Sequence, residues 1–296
     1  MISVLIPTFN EASNILDCLR SVAWADEIVV VDSCSADDTR SIASRFGARI
    51  VDFTWNGRWP KKKNWALENI TWRNEWLLIL DADERITPAL AREMQAATAD
   101  SPLDGYFINR RFLFMGRWIR HCGYYPSWNL RLFRPAAGRY EKLLTTDTGS
   151  GDNEIHEHLV ISGPPGYLRN DMLHFAYPDI STWVEKHNRY SNWEAHVELA
   201  GQHRKHGPGL TAPGWKRRVR SWSRYAPFRP GLRFLYHYVL RRGFLDGFEG
   251  YVLCQLLGMY ELLTVLKSRE LDGAVGKERC RNPLRISEPQ APAPVA

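Results

Sequence analysis

An apolar run that ends in two carboxylates occupies residues 75–88, which read EWLLILDADERITP. The first six residues predict a buried strand, and Thr87-Pro88 is a typical helix start. Residues i and i+2 of a strand point the same way, so Asp81 and Asp83 are expected to point together. At the carboxyl end of a strand, where α/β proteins bind ligands, such a pair suits Mg2+ or Mn2+. The alternative interpretation is a solvated acidic turn.

Short apolar runs and helical segments alternate around this stretch. The runs 4–6, 27–31, 48–51 and 76–80 predict strands, and the segments 14–22, 37–46 and 61–70 predict helices. Strands that are apolar throughout are typical of a parallel sheet covered by helices on both faces. Polar residues follow three of these strands, at Pro7–Glu11, Asp32-Ser33 and Asp81–Asp83. In a doubly wound sheet these loops converge on one crevice.

The sequence also disfavours several classes of protein. No G-x-G-x-x-G follows the first strand, which disfavours a dinucleotide site, and no phosphate-loop motif is present. The five cysteines include no C-x-x-C pair, so neither a disulfide framework nor a zinc site is expected. The expected location is a reducing compartment. The N-terminus lacks the features of a signal peptide, and no apolar stretch reaches transmembrane length.

Positive charge is concentrated in one segment. The chain of 296 residues has a net charge of +6, and residues 203–242 contain eleven Lys and Arg residues and no Asp or Glu. Aromatic residues such as Trp215, Trp222 and Tyr236 lie among them. Basic residues mixed with aromatics suit an anionic surface, and no nucleic-acid recognition motif is apparent. This segment therefore predicts an anionic membrane surface as a partner, and no nucleic acid.

Four motifs in order resemble glycosyltransferase family 2. They are Val4–Glu11 (VLIPTFNE), Glu27–Ser33 (EIVVVDS), Lys63–Leu67 (KNWAL) and Leu80–Glu84 (LDADE). The resemblance covers residues 1–100 well and continues more loosely through Arg131–Phe133, His156-Glu157 and Gly243–Gly247. The nearest subgroup is the lipopolysaccharide-core β-1,4-glucosyltransferase type. The resemblance implies a GT-A nucleotide-diphospho-sugar transferase fold, a Rossmann-like and mostly parallel sheet, with a helical, basic C-terminal extension.

The resemblance also implies roles for residues on the donor side. The loop Pro7–Glu11 holds the nucleoside with Glu11 near the ribose, Asp32 accepts a hydrogen bond from the base, and Lys63 lies near the base or phosphates. Which of the lysines 61–63 points inward is left open. Asp81 and Asp83 position Mg2+ or Mn2+ on the diphosphate, with Asp83 the more direct ligand and His174 a further candidate. The predicted nucleotide-sugar-binding residues are Pro7, Thr8, Asn10, Glu11, Asp32, Ser33, Lys63 and Asp81.

The resemblance also implies inverting transfer of a sugar from its nucleotide. Such a transfer needs a general base for the acceptor hydroxyl. The segment 151–159, GDNEIHEHL, is the richest in candidates. By analogy with the His-Glu motif of the subgroup, Glu157 is predicted as the base, with Asp152 and Glu154 as alternatives. Arg131, which alternates with apolar neighbours, is a candidate partner of an active-site carboxylate or the acceptor. Arg110 and Arg111 are candidates for the acceptor side.

These observations predict a GT-A catalytic domain at residues 1–178, with a nucleotide-sugar half (1–100) and an acceptor half (101–178). A helical membrane-association region follows at 179–281, and a disordered tail at 282–296. The expected function is inverting transfer of a hexose from a UDP-sugar to a saccharide of lipopolysaccharide or exopolysaccharide, by a cytoplasmic protein peripheral to the inner face of the cell membrane. The alternatives are a nucleotidyltransferase and a non-catalytic membrane-surface binding protein with a degenerate nucleotide fold.

Overall fold

The protein, represented by a computed structural model, is described here for residues 1–141, 158–199 and 228–272. The strands in these ranges are β1 (Ile2–Thr8), β2 (Glu27–Asp32), β3 (Arg49–Asp52), β4 (Trp76–Ile79), β5 (Glu84–Arg85), β6 (Gly105–Phe114), β7 (Arg117–Trp118), β8 (Trp128–Phe133), β9 (Gly138–Tyr140), β10 (Leu159–Ile161) and β11 (Pro165–His174). The α-helices are α1 (Ile15–Ser21), α2 (Thr39–Phe46), α3 (Lys62–Asn69), α4 (Pro88–Thr98), α5 (Ile180–Leu199), α6 (Arg229–Leu235) and α7 (Gly247–Asp272).

One mixed sheet organises these elements. Among the described residues its nine strands follow the order β3-β2-β1-β4-β8-β6-β11-β5, with β7 paired to β6. Strands β3, β2, β1 and β4 are parallel to one another, whereas β8 is antiparallel to both β4 and β6. Strand β11 returns parallel to β6 and pairs with the short β5 in the antiparallel sense. The predicted mostly parallel α/β sheet is confirmed.

The parallel half carries apolar side chains on both faces. Val4, Val30 and Leu78 join one buried cluster with α1 and α4, whereas Leu5 and Val29 join a second cluster with α3 on the opposite face. Alternate residues of a strand point to opposite faces, so strands covered on both sides must be apolar at every position. The continuous apolar runs in the sequence are therefore explained by burial on both faces.

Local signals in the sequence place several helix ends. The Thr87 hydroxyl accepts a hydrogen bond of 3.2 Å from the Leu90 amide, and Pro88 is the first residue of α4. Thr87 is thus an N-terminal cap, as predicted. Helix α2 ends at Phe46, and the following Gly47 has a φ of 92°, in the left-handed region that glycine adopts without strain.

The C-terminal helices pack at one end of the sheet. Helix α5 packs mainly against α7, and Trp183 of α5 lies in a buried cluster with Phe114 of β6 and Leu253 of α7. No helix in the described ranges combines the length and apolarity needed to cross a membrane. The predicted tail 282–296 lies outside the described residues, and the boundaries at 178 and 281 stay predictions.

Candidate active site

The loops after β1 and β2 are tied together by side-chain hydrogen bonds. The Thr8 hydroxyl donates to Asp32 Oδ1 at 2.8 Å, and the Ser35 amide donates to Asp32 Oδ2 at 2.8 Å. Asp32 is fully buried. Its carboxylate therefore holds the shape of these loops, and a direct contact with a base would require Ser35 to move. The predicted contact between Asp32 and the base stays a prediction.

The loop Pro7–Glu11 turns sharply beneath the start of α2. Asn10 has a φ of 55°, and its side-chain oxygen accepts a hydrogen bond of 2.8 Å from the Ala36 amide. The Glu11 amide donates to the Thr39 hydroxyl, and the Glu11 carboxylate accepts from Asn14. Burial and the nearby Asp83 and Asp81 carboxylates raise the pKa of Glu11, although the hydrogen bond from Asn14 opposes them. Glu11 therefore belongs to the same electrostatic site as the two aspartates.

Lys62 and Lys63 both reach toward the site. Lys62 is 2% exposed, and its Nζ donates to the Thr8 carbonyl at 2.9 Å. Lys63 Nζ lies 2.9 Å from Asp81 Oδ1 and 5.4 Å from the centre of the Tyr140 ring. The question left open by the sequence is thus answered in part: Lys62 supports the end of β1, and Lys63 reaches the carboxylate pair.

The carboxylate pair lies in a turn, and this corrects the strand geometry expected from the sequence. Strand β4 ends at Ile79, so the rule that i and i+2 share a face does not apply to Asp81 and Asp83. The buried carboxylate of Glu84 instead fixes the turn by accepting a hydrogen bond of 2.9 Å from the Asp81 amide. The sequence offered Glu84 only as part of an acidic run, and its structural role was missed.

Arg131 of β8 binds both carboxylates of this turn. Its Nη2 lies 2.6 Å from Asp81 Oδ2 and 2.9 Å from Glu84 Oε1. Arg131 therefore pairs with Asp81, one of the two candidate carboxylates, and the role of Asp81 in an active site stays a prediction. Burial acts to raise the pKa of Asp81, but the positive charges of Arg131 and Lys63 outweigh it and hold that pKa well below its usual range. Asp81 is consequently an anion held in position by two cations.

Asp83 has different neighbours from Asp81. Its Oδ2 lies 3.6 Å from His174 Nε2 at the end of β11 and 4.0 Å from Lys186 Nζ on α5. Burial acts to raise the pKa of Asp83, and the nearby His174 more than compensates, so the pKa is lowered. The side chains of Asp83 and His174, far apart in the sequence, are thus brought together. Lys186 was not anticipated, because nothing in its sequence context distinguishes it from other surface lysines of a helix.

The carboxylates of this turn offer oxygen atoms of the kind that Mg2+ or Mn2+ prefers. Within the described residues, no three His, Cys, Asp or Glu side chains form a group able to hold a metal by themselves. Mg2+ commonly takes only one or two carboxylates from the protein and completes its shell with water and phosphate oxygens. Asp83, with its cations at 3.6 Å or more, suits this better than Asp81, whose oxygens already contact Lys63 and Arg131.

The remaining predicted residues divide into two groups. Arg110 lies 3.5 Å from Glu84 and faces a cavity beside His174, whereas Arg111 pairs with Asp171 at 2.7 Å and packs on Trp118. Of these two arginines, Arg110 lines that cavity and Arg111 does not. The predicted base Glu157 and its alternatives Asp152 and Glu154 lie outside the described residues.

Comparisons with known proteins identify relatives of this sequence. The family model described as glycosyl transferase family 2 matches residues 3–151, about half of the chain. A lipopolysaccharide core biosynthesis glycosyltransferase, LpsC, from Rhizobium meliloti is 27% identical over 279 residues, which cover 90% of this chain and 91% of LpsC.

An uncharacterized glycosyltransferase from Rickettsia felis is 28% identical over 280 residues, and the aligned segment covers 91% of this chain and 89% of that protein. The crystal structure of S. aureus TarS 1–349 aligns with 96% of this chain and 93% of that chain, at 16% identity and a TM-score of 0.44. The match of the family model to half of the sequence identifies this chain as a member of glycosyltransferase family 2.

Proposed function

We propose that this glycosyltransferase moves a hexose from a UDP-sugar to a saccharide acceptor in the synthesis of a cell-surface glycan, lipopolysaccharide or exopolysaccharide, with inversion at the anomeric carbon. The observation that carries the proposal is the Asp81–Asp83 turn beside the loop Pro7–Glu11 at the ends of parallel strands. The name of the relative LpsC, a lipopolysaccharide core biosynthesis glycosyltransferase, supports the choice of acceptor class.

The donor lies across the ends of β1, β2 and β4. Asn10, Glu11 and Ser33 belong to the loops on the nucleoside side, and Asp32 keeps these loops in position through Thr8 and Ser35. Lys63 adds a positive charge toward the diphosphate from its place beside Asp81. The role of these residues is to fix the sugar phosphate so that its anomeric carbon faces the acceptor half of the sheet.

Asp83, with Asp81 and His174 near it, would hold Mg2+ or Mn2+ on the diphosphate. When bound, the cation supplies positive charge to the phosphate oxygens as they leave. Lys63 and Lys186 add one positive charge beside each carboxylate, at 2.9 Å from Asp81 and 4.0 Å from Asp83. The protein thus surrounds the leaving group with charges that need not reorganise during the reaction.

The acceptor hydroxyl attacks from the opposite side of the sugar. A new bond forms between the acceptor oxygen and the anomeric carbon, the bond from that carbon to the phosphate oxygen breaks, and UDP leaves with the electron pair. The acceptor proton passes to a carboxylate, for which Glu157 is the first choice and Asp152 and Glu154 are the alternatives. A single displacement of this kind inverts the anomeric centre.

The C-terminal region attaches the enzyme to the inner face of the membrane. Two features support this part of the proposal: the eleven basic residues of 203–242, and a set of exposed apolar side chains on the elements from Phe228 to Tyr251. These include Phe228, Leu240 and Phe248, which are 76%, 73% and 66% exposed. Arg241 and Arg242 are exposed among them. Apolar side chains beside cations suit the boundary between lipid tails and anionic headgroups.

UDP binding measured with and without Mn2+ tests the donor site. Calorimetric titration should show tighter binding with Mn2+ than with a chelator for the unaltered protein. Asp83→Ala should remove that difference, because it deletes the carboxylate whose nearest cations lie at 3.6 Å or more. Asp100→Asn, a change at an exposed carboxylate outside the site, should leave the difference intact. If folded Asp83→Ala protein retains the full Mn2+ effect, or if transfer proceeds undiminished in excess chelator, the metal-dependent mechanism is wrong.

A further inference from the structure

A cavity of about 360 Å³ lies between the sheet and the C-terminal helices. Its walls come from β6, β11, α5, α6, α7 and the segment before β8. Four tyrosines and two arginines line it: Tyr124, Tyr177, Tyr190, Tyr260, Arg110 and Arg233. Both its size and its mainly aromatic lining with a few charged groups are typical of a site for a small organic molecule, for which volumes of about 300–1,000 Å³ are usual.

The cavity adjoins the carboxylate turn. His174 forms part of its wall, and the Nε2 atom of the same ring lies 3.6 Å from Asp83 Oδ2. The negative charge of Asp83 also acts on the Tyr177 and Tyr190 hydroxyls, whose pKa values burial already raises. A molecule in this cavity would therefore lie next to the proposed diphosphate position, on the side away from the nucleoside loop.

Arg110 is weakly engaged by the protein. Its Nη1 lies 3.5 Å from Glu84 Oε1 and its Nη2 lies 3.4 Å from the Ser127 hydroxyl, both long for a charged hydrogen bond. Its Nε is buried and has no hydrogen-bond partner among the described residues. Glu84 is instead bound closely by Arg131, at 2.9 Å. Around this turn three cations, Lys63, Arg131 and Arg110, thus face two carboxylates, Asp81 and Glu84.

Arg233 repeats this arrangement on the opposite wall. It pairs with the buried carboxylate of Glu261, which also pairs with Arg229. Two arginines therefore share one carboxylate, and Arg233 Nε is buried without a hydrogen-bond partner in the described part of the chain. Glu194 is also near, because it accepts a hydrogen bond from the Tyr260 hydroxyl. Each cavity arginine thus keeps hydrogen-bonding capacity that its protein partners do not use.

We propose that this cavity is a subsite for an acidic group, a carboxylate or a phosphate ester, carried by the acceptor saccharide. Arg110 and Arg233 bind the acid, since a guanidinium matches both anions with parallel N–H donors. The tyrosine rings enclose the sugar ring and exclude water, which strengthens the charged contacts. This inference rests on the proposed function, because it takes the cavity beside Asp83 as the acceptor side.

Titration of the full chain with three simple sugars tests the subsite. Glucose 6-phosphate, glucuronate and glucose are added in the presence of UDP and Mn2+, and binding is measured by calorimetry. We expect glucose 6-phosphate or glucuronate to bind and glucose to bind at least about tenfold more weakly, as loss of a charged hydrogen bond predicts. The anion that binds more tightly identifies whether a phosphate or a carboxylate is preferred.

Two variants assign the effect to the cavity. Arg110→Gln and Arg233→Gln should each weaken binding of the anionic sugar about tenfold or more while leaving the affinity for UDP unchanged. Both variants should fold, because Glu84 keeps Arg131 and Glu261 keeps Arg229. Arg139→Gln is the matched control, since Arg139 is exposed on β9 and contacts backbone carbonyls outside the cavity.

The outcomes separate the two proposals. If UDP binds but neither anionic sugar binds better than glucose, the subsite is wrong and the proposed function stands. If Arg110→Gln or Arg233→Gln weakens UDP binding as much as sugar binding, the cavity holds donor phosphates and the inference is equally wrong. If UDP does not bind at all, the proposed function falls, and the inference falls with it.

Discussion

Replacement of Arg131 by methionine should destabilise the protein strongly. Arg131 is 8% exposed at its side chain and lies between Asp81, which is 32% exposed, and Glu84, which is fully buried. Methionine has a similar length and no charge, so the variant leaves two carboxylates with weaker partners. Asp81 keeps Lys63 at 2.9 Å, whereas Glu84 keeps the hydrogen bond from the Asp81 amide and the more distant cation Arg110 at 3.5 Å. The energetic cost therefore arises mainly from Glu84.

The magnitude follows from the burial of Glu84. Removal of one partner from a buried ion pair costs about 3–5 kcal/mol, because an uncompensated charge remains in the interior. Since Asp81 is partly solvated and retains Lys63, we expect the lower end of this range, about 3 kcal/mol, in the free energy of unfolding. The matching fall in Tm is roughly 6–12 °C. Urea unfolding of Arg131→Met followed by circular dichroism measures the change.

A control and a double variant locate the cause. Arg20→Gln breaks the exposed pair with Asp17, in which both side chains are more than half exposed, and should cost about 1 kcal/mol or less. Adding Glu84→Gln to Arg131→Met should recover part of the loss, because the neutral amide no longer needs a cation. A cost for Arg131→Met no greater than for Arg20→Gln, or a double variant less stable than the sum of both single changes, would refute the reasoning.

The pH dependence provides a second readout of the same pair. The pKa of Asp81 is lowered in the folded state. The pairing of Asp81 with its cations therefore stabilises the protein fully at pH values above the ordinary aspartate pKa of about 3.9. That stabilisation is lost as the pH falls through the lowered folded pKa. The stability difference between the unaltered protein and Arg131→Met should therefore narrow below about pH 4.

Three further predictions concern the donor, the base and the membrane. Lys63→Gln should weaken UDP binding about tenfold through loss of a charged contact, and an affinity equal to that of Arg139→Gln in calorimetry would contradict this role. Glu157→Gln should slow sugar transfer by a factor of about 10² to 10⁴ without altering UDP affinity. If Glu157→Gln turns over normally and Glu154→Gln is inactive, the base is Glu154. Binding to anionic vesicles, measured by co-sedimentation, should fall at least about tenfold when three exposed apolar residues become serine, since each contributes roughly 1.5–3 kcal/mol on burial. The control is Val160→Ser, a change at an exposed strand position. Equal vesicle binding by the triple variant and the control would exclude the apolar surface as the anchor. Those three residues are Phe228, Leu240 and Phe248.

The parallel half of the fold was predictable because its signals are local. The apolar run 76–80 became β4 at Trp76–Ile79, and Thr87-Pro88 began α4 as expected. The conformation of Asp81 and Asp83 was not predictable in the same way. It depends on a hydrogen bond from Asp81 to Glu84 within the turn, which the period-two pattern of a strand does not contain.

The rest of the site depends on contacts between distant parts of the chain. Arg131 could be recognised as unusual because a charged residue alternated with apolar ones, yet its second partner Glu84 needed the antiparallel pairing of β4 with β8. The cavity was invisible in the sequence for the same reason. Arg110 and Arg233 are separated by more than a hundred residues, and only the packing of α6 and α7 against the end of β6 brings them to one space.

The pairing of β4 with β8 also affects how the chain emerges from the ribosome. Strand β4 has β1 on one side from the first eighty residues, but its other neighbour is synthesised only when residues 128–133 appear. Until then, a strand whose four side chains are fully buried in the finished protein presents unpaired backbone groups on one edge. Such an edge is a template for pairing with other chains. During synthesis, chaperones that cover apolar segments would have their greatest value in the interval between the completion of β4 and the arrival of β8.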